Sequence, residues 1–344
     1  MADDPALDTL LYPFLSGVVS WPVDAGLLFL RARSGPICRQ LPRDQLVCEQ
    51  SFKPFADALN QAGFRVSESA EEAFPVVLML PPRQRDEARA LLARAVRRTT
   101  PGGIVMASMS NSEGARSGEV DLERLTGNIK TLSKNKCRVF WSTITDEAKK
   151  SPLVAEWAAL DAPRPIADGR FLSRPGLFAW DRIDDASALL AAYLPGDLSG
   201  RAADLGAGYG YLSAELLAGN PRINTLDVYE AEARALSVAQ VNLAEAAKRV
   251  DIGFHWHDVA TGLLARYDVV VSNPPFHQGR ADQPDLGKAF IVAAARALNP
   301  GGRLWLVANR HLPYEAVLAG HFATVRAVAV QDGFKVIEAM KAQT

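Results

Sequence analysis

The sequence has 344 residues, 48% hydrophobic and 22% charged, with 38 Lys and Arg against 39 Asp and Glu. That length favours two domains over one, and the composition is that of a folded globular protein, not a disordered or fibrous one. Residues 1–165 carry a net +1 and the remainder −2, which excludes wholesale electrostatic binding of nucleic acid and leaves only local patches for it.

The acidic start, Met1-Ala2-Asp3-Asp4, has neither the basic nor the apolar region of a signal peptide. No run approaches the roughly 20 apolar residues that cross a bilayer, so a cytoplasmic protein without membrane contact is expected. Cys38, Cys48 and Cys137 are odd in number and scattered, which argues against a disulfide framework and against a metal site.

In chain order, Gly26 to Leu30 reads as a first strand, running into the turn Arg33-Ser34-Gly35-Pro36 with its single glycine. Leu46 to Glu49 is a second strand, and Phe52 to Ala62 has helical spacing closed by Gly63. Pro75 to Leu80 is a buried strand stopped by Pro81-Pro82, followed by an Ala/Leu/Arg-rich helix over 83–98, then Pro101-Gly102-Gly103 and the strand Ile104 to Ala107. Two basic clusters lie here, Arg83 to Arg98 around that helix and Lys130, Lys134, Lys136 and Arg138. A Pro- and Gly-rich stretch at 162–176 places the domain boundary near 165/166.

The second half opens with Asp204-Leu205-Gly206-Ala207-Gly208-Tyr209-Gly210, a strand end turning through glycines into a helix. The G-x-G-x-G spacing differs from the G-x-G-x-x-G that seats a dinucleotide pyrophosphate. Asp227 follows Asp204 by 23 residues, close to the ~20 expected of a carboxylate that holds a ribose. Glu230 is the alternative for that role, and Asp258 is a candidate for an adenine edge. These groups suit an adenosine ligand that carries cationic centres and no phosphate, as S-adenosylmethionine does.

Tyr267-Asp268-Val269-Val270-Val271-Ser272-Asn273-Pro274-Pro275-Phe276 is a β-branched strand ended abruptly by prolines. It delivers the Asn273 amide, the Pro274 carbonyl and the Phe276 ring to the strand's carboxyl end, where open α/β sheets bind ligands. Such an edge suits a flat base bearing an NH2 group. Asn-Pro-Pro-Phe taken by itself is equally a plain proline-terminated loop; the glycine loop and the acidic residues in the same order set it apart.

The run from Val269 through the strand Leu304 to Val307 repeats, element for element, the run from Val76 through Ala107, including Pro-Gly-Gly. The chain therefore reads as a tandem duplication. Leu80 stands in place of Asn273 and Arg83 in place of Phe276, so the first copy lacks the chemistry of the second. Thr324 to Met340, turning at Asp332-Gly333, is a closing hairpin.

Arg174-Pro175-Gly176-Leu177-Phe178, the loop Asp204 to Gly210, Ser272 to His277, Val307-Ala308-Asn309, Leu312-Pro313-Tyr314 and Phe334-Lys335-Val336 together resemble the bacterial 16S ribosomal RNA guanine-N2 methyltransferases of the small-subunit methyltransferase C family. Ala179-Trp180 departs from the Ser-Arg pair usual in that family. The resemblance implies tandem Rossmann-like class I methyltransferase domains, α/β in class. The first, 1–165, is degenerate and serves as scaffold or RNA-docking surface; the second, 166–344, is catalytic, with a seven-stranded sheet ending in an antiparallel hairpin.

It also implies S-adenosylmethionine held by Asp204, Gly206, Gly208, Gly210, Asp227, Asp258 and Asn273, with no metal. Catalysis would fall to Asn273, Pro274 and Phe276, with His277, Lys130, Lys134 and Lys136 beside Phe276 in contact with RNA. The expected partner is ribosomal RNA or the small subunit, approached by a monomer. The alternatives are a methyltransferase acting on 23S rRNA guanines, which shares Asn-Pro-Pro-Phe, adenine-N6 and glutamine-N5 enzymes, and a non-catalytic assembly factor.

Overall fold

The computed structural model describes residues 4–21, 26–67, 72–275, 277–278, 281–282 and 284–343, with only the backbone at 277, 278, 281, 282 and 284. Its contacts separate two units, Met1–Ala162 and Pro163–Thr344.

In the first unit, helix α1 (Pro5–Leu15) precedes strands β1 (Leu27–Leu30) and β2 (Leu46–Glu49), helix α2 (Lys53–Gln61) and strand β3 (Arg65–Ser67). Then come β4 (Phe74–Met79), α3 (Arg85–Arg98), β5 (Thr99–Ser110), α4 (Ala115–Thr126), the hairpin β6 (Lys130–Lys134) and β7 (Cys137–Thr143), α5 (Asp146–Lys150) and α6 (Pro152–Ala158). The seven strands form one sheet in the order β3-β2-β1-β4-β5-β7-β6. The central strands are apolar throughout because both faces are covered. Leu28, Leu30, Val77 and Met79 join one core cluster, while Leu27, Phe29 and Leu78, alternating with them, join another.

The second unit begins with a short hairpin, β8 (Arg164–Ile166) and β9 (Phe171–Ser173). A boundary at 165/166 would cut β8, so the dense prolines and glycines mark this hairpin and not a free linker. There follow α7 (Asp185–Tyr193), β10 (Ser199–Leu205), α8 (Tyr211–Gly219), β11 (Arg222–Glu230), α9 (Ala233–Asn242), β12 (Asp251–Trp256) and β13 (Tyr267–Ser272). The short strands β14 (His277–Gln278) and β15 (Ala281–Asp282) lead to α10 (Pro284–Ala297), β16 (Leu298–Asn309), α11 (Glu315–His321), β17 (Thr324–Gln331) and β18 (Phe334–Met340). Its sheet runs β12-β11-β10-β13-β16-β18-β17, the order of the first unit repeated. The closing hairpin turns at Asp332 and Gly333, both at positive φ, and β18 lies antiparallel to β16.

The duplication extends to register. Leu27 pairs with Val76 as Ala202 pairs with Val269, and both sheets slip after the first residue of the fourth strand, at Phe74 and Tyr267. By this register Arg31 and Arg33 stand where Gly206 and Gly208 stand, Gln50 where Glu230 stands, and Leu80 where Asn273 stands.

The polar groups of the first copy are turned on each other. Arg33 Nη1 lies 2.9 Å from Asp4 Oδ2, with its guanidinium 5.6 Å from the centre of the Phe55 ring. Gln50 Nε2 donates to the Ala32 carbonyl at 2.6 Å, while its Oε1 accepts from Phe52 N. A side chain as long as arginine at the second loop position, paired in place, leaves no open cradle there. Titration calorimetry with S-adenosylmethionine is therefore expected to give one site per chain; a stoichiometry of two would mean that Arg33 swings aside.

Candidate active site

The strand order reverses between β10 and β13, which are adjacent and parallel, so a cleft opens at their carboxyl ends. Leu205 pairs with Ser272, and Ser272 Oγ donates to the Leu205 carbonyl at 2.8 Å. Gly206 and Asn273 therefore leave the sheet side by side. They line one pocket with Phe178, Ala179, Asp184, Ser187, Gly208 and Tyr211, among others.

The three loop glycines have three different reasons. Gly206, at φ +73, would bring a Cβ to 3.3 Å from Phe290; Gly208, at φ +57, has nothing within 4 Å; and a Cβ on Gly210 would stand 3.3 Å from Ala239 of α9. Gly208 thus faces open space, whereas Gly210 is a packing position for the helix behind the loop. Glu230 ends β11 half-buried, where its Oε2 accepts from Gly208 N and its Oε1 from Glu232 N, both at 2.8 Å.

Two acidic residues differ from expectation. Asp227 does not reach the cleft. It is buried within β11 and accepts from Arg201 at 2.6 and 3.0 Å and from Tyr267 at 2.9 Å, with His255 Nε2 at 2.7 Å. Burial alone would raise its pKa, but the His255, Arg201 and Tyr267 contacts outweigh it and hold the carboxyl below its ordinary range. A carboxylate so fully engaged has no capacity left for a ribose, and Glu230, three residues on, occupies the strand end instead.

Asp204 lies beneath the loop, not in its wall. It is completely buried, its Oδ2 accepts from Ser213 Oγ at 2.7 Å, and its Oδ1 has no partner. Burial, with a smaller contribution from the neighbouring Glu230 charge, pushes its pKa up to about 7 against the Ser213 hydrogen bond.

Asp258 caps the short turn after β12 through Ala260 N at 2.9 Å and is half-buried. Pro274 is buried and Pro275 exposed. Phe276 lies outside the described residues; His277 begins β14, its side chain likewise outside them. Lys130, Lys134 and Lys136 are exposed on the β6–β7 hairpin of the first unit, with Lys134 Nζ 3.7 Å from the centre of the Tyr12 ring. The arginines of α3 make a poorer patch than their number suggests, since Arg85 and Arg89 pair with buried Asp121 and Arg94 with buried Glu49.

Asn273 is anchored by two residues of the same pocket that are absent from the expected set. Its Nδ2 donates to Asp184 Oδ2 and to Ser187 Oγ, each at 2.9 Å. Asp184 is also the N-cap of α7, accepting from Ser187 N at 2.9 Å. An Asp-x-x-Ser pattern ahead of the apolar run at Leu189-Leu190 was a readable helix-start signal. Phe178, 62% exposed at the rim, had no such signal. Among the described residues no cluster could hold a metal ion, and no helix is long and apolar enough to cross a membrane.

The residues present fit S-adenosylmethionine. A buried carboxylate oxygen without a partner suits a cationic ligand, the space over Gly208 admits close backbone approach, and Glu230 keeps acceptor capacity at a strand end.

A doubly covered sheet of this order is that of the Rossmann-like methyltransferases, here present in tandem, and the second copy alone carries the glycine loop after its first strand and Asn-Pro-Pro after its fourth. The family model for the methyltransferase small domain matches residues 168–338. The ribosomal RNA small subunit methyltransferase C of Shewanella amazonensis is 30% identical over 291 residues, covering 82% of this chain and 83% of the relative. That of Shewanella loihica is 29% identical over 297 residues, 85% of each. The solved 16S rRNA N2 methyltransferase of T. thermophilus, in complex with AdoMet and guanosine, superposes with a TM-score of 0.80 at 25% identity, covering 98% of this chain and 92% of that one. The chain belongs to the ribosomal RNA small subunit methyltransferase C family.

The Asp204 shift has a measurable consequence. Unfolded chain ionises this carboxyl near 3.8 and folded protein near 7, so in between the folded state holds a proton that the unfolded chain has lost. The stability this confers is complete at low pH and is lost as pH rises through about 7. Thermal melts from pH 5 to 8 are expected to flatten in Asp204→Asn, which keeps an acceptor for Ser213 but does not ionise. An unaltered slope would assign the dependence to other groups.

Proposed function

We propose that this chain transfers a methyl group from S-adenosylmethionine to the exocyclic N2 amine of a guanine in 16S ribosomal RNA. The observation that carries this reading is the Asn273 amide at the cleft: its Nδ2 hydrogens are taken by Asp184 and Ser187, and its Oδ1 has no partner among the described residues. The solved relative in complex with AdoMet and guanosine supports the same pairing of ligands.

The loop backbone from Gly206 to Gly208 would seat the cofactor, with Glu230 on the ribose hydroxyls, Asp258 near the adenine edge and the Asp204 carboxyl beneath. Bound there, S-adenosylmethionine supplies a methyl whose bond to sulfur breaks as the bond to nitrogen forms, the electron pair passing to sulfur. Asn273 Oδ1 and the Pro274 carbonyl each accept one N–H of the target amine. That orients a poor nucleophile and draws its lone pair out of conjugation, so catalysis is positioning plus electrostatics. Alkylation makes the nitrogen acidic, and its proton leaves to water without a strong base. Phe276 stacks on the base, typically worth ~1–3 kcal/mol, and the guanine must be splayed out to reach it. His277 contacts the RNA beside it.

The first unit, without a cofactor cradle, docks RNA through Lys130, Lys134 and Lys136, and the chain acts as a monomer in the cytoplasm. Replacing the three lysines together is expected to weaken rRNA binding and to flatten its salt dependence, because phosphate contacts release counterions. Equal affinities across a salt series would leave them as solvated surface.

Asn273→Ala is expected to slow single-turnover methylation by about 10²–10³, the usual cost of losing one preorganised polar contact at a reacting centre. Affinity for S-adenosylmethionine should change little, and wild-type turnover in this variant would sink the amine mechanism.

A further inference from the structure

We infer that Asp184 and Ser187 are positioning residues that lock the Asn273 carboxamide with its oxygen toward the cleft, so that the site selects a hydrogen-bond donor as its target. The inference rests on the guanine-amine reading and extends it to two residues of the same pocket that act through Asn273.

A carboxamide offers two donor hydrogens and one acceptor oxygen, and a half-turn about its last torsion exchanges them. In the cleft the neighbours decide the orientation. Asp184 Oδ2, a carboxylate oxygen, can only accept, and it lies 2.9 Å from Nδ2. Ser187 Oγ is 2.9 Å from the same nitrogen. Flipping the amide would set Oδ1 against the carboxylate, two acceptors at contact distance, while leaving two N–H groups facing the substrate. The charge on Asp184 also polarises the amide, strengthening Oδ1 as an acceptor.

The first unit supplies an internal control. Helix α1 stands before β1 as α7 stands before β10 and starts in the same way, with Asp4 Oδ1 accepting from Leu7 N at 3.1 Å. Asp4 keeps the helix cap. Leu7 replaces Ser187, and Leu80 replaces Asn273. The fold therefore needs the Asp at this helix start but not the Ser hydroxyl, which disappears together with the amide it holds. The remaining oxygen of Asp4, with no amide to bind, accepts from Arg33 instead. Capping explains why Asp184 is there; only the amide explains Ser187.

The test uses the full-length protein with S-adenosylmethionine and 16S rRNA. Ser187→Ala is expected to lower kcat on the order of tenfold, with KM for the cofactor and the melting temperature little altered, and Ser187→Thr, which keeps the hydroxyl, to restore most of the rate. Combining Ser187→Ala with Asn273→Ala should be no slower than Asn273→Ala alone. Full additivity would mean that Ser187 acts elsewhere, and would overturn the inference. A second measurement does not depend on turnover: the side-chain amide signal of Asn273 in a 15N spectrum, assigned by its loss in Asn273→Ala, should exchange with solvent slowly in the wild type and at least about tenfold faster in Ser187→Ala. Equal exchange rates overturn the lock. If the wild type leaves guanine N2 unmethylated, the functional reading fails separately, and the exchange rates alone decide whether the amide is held.

Discussion

The parallel pairing of β10 with β13 is the constraint on which the rest depends. Two strands far apart in sequence are held in a register that sets Leu205 against Ser272, and each then ends in a residue that cannot continue a sheet in the ordinary way. One turns back through Gly206 at positive φ; the other meets Pro274. The cofactor loop and the Asn273 amide are neighbours because the backbone ladder makes them so. The apolar side chains on both faces, Val269 and Val271 toward one cluster and Val270 toward the other, keep that ladder from slipping, since a one-residue shift would turn every side chain to the wrong face.

The same ladder in the first unit carries different end residues. The two sheets agree in strand order, register, the irregularity at Phe74 and Tyr267, and the Pro-Gly-Gly turns. They disagree at loop and strand ends, where ligands would bind. Scaffold and site are thus separable in this protein, and the comparison distinguishes residues kept for folding from those kept for chemistry within one chain.

Much of this was legible in the residues. Buried strands such as β4 and β13 announce themselves by short apolar runs with adjacent valines beside turn-forming prolines, and the closing hairpin by Asp332-Gly333. The α1 and α7 helices were harder to see, because their apolar faces pack on sheets formed by distant residues. Asp227 departs from its expected place for a physical reason: a carboxylate at a plausible spacing carries no mark of whether it faces a ligand or an arginine across the sheet. Arg201, Tyr267 and His255 claim it through pairings that only the folded register creates. The Asp184–Ser187–Asn273 contact was hidden likewise, since its partners lie 86 and 89 residues apart.

The rematching of polar groups in the first unit bears on how a lost site can return. Gln50 binds the loop itself, and Arg33 and Asp4 neutralise each other. Reverting Arg33 to glycine would not recreate a binding cradle; it would strand Asp4 and empty the volume under Phe55, while Leu7 and Leu80 still presented hydrocarbon to any ligand. Each single step back is uphill, and the steps help one another only when taken together. A duplicated fold that has repaired itself in this way sits behind a ratchet: selection on single substitutions can refine it as a platform far more readily than restore it as an enzyme.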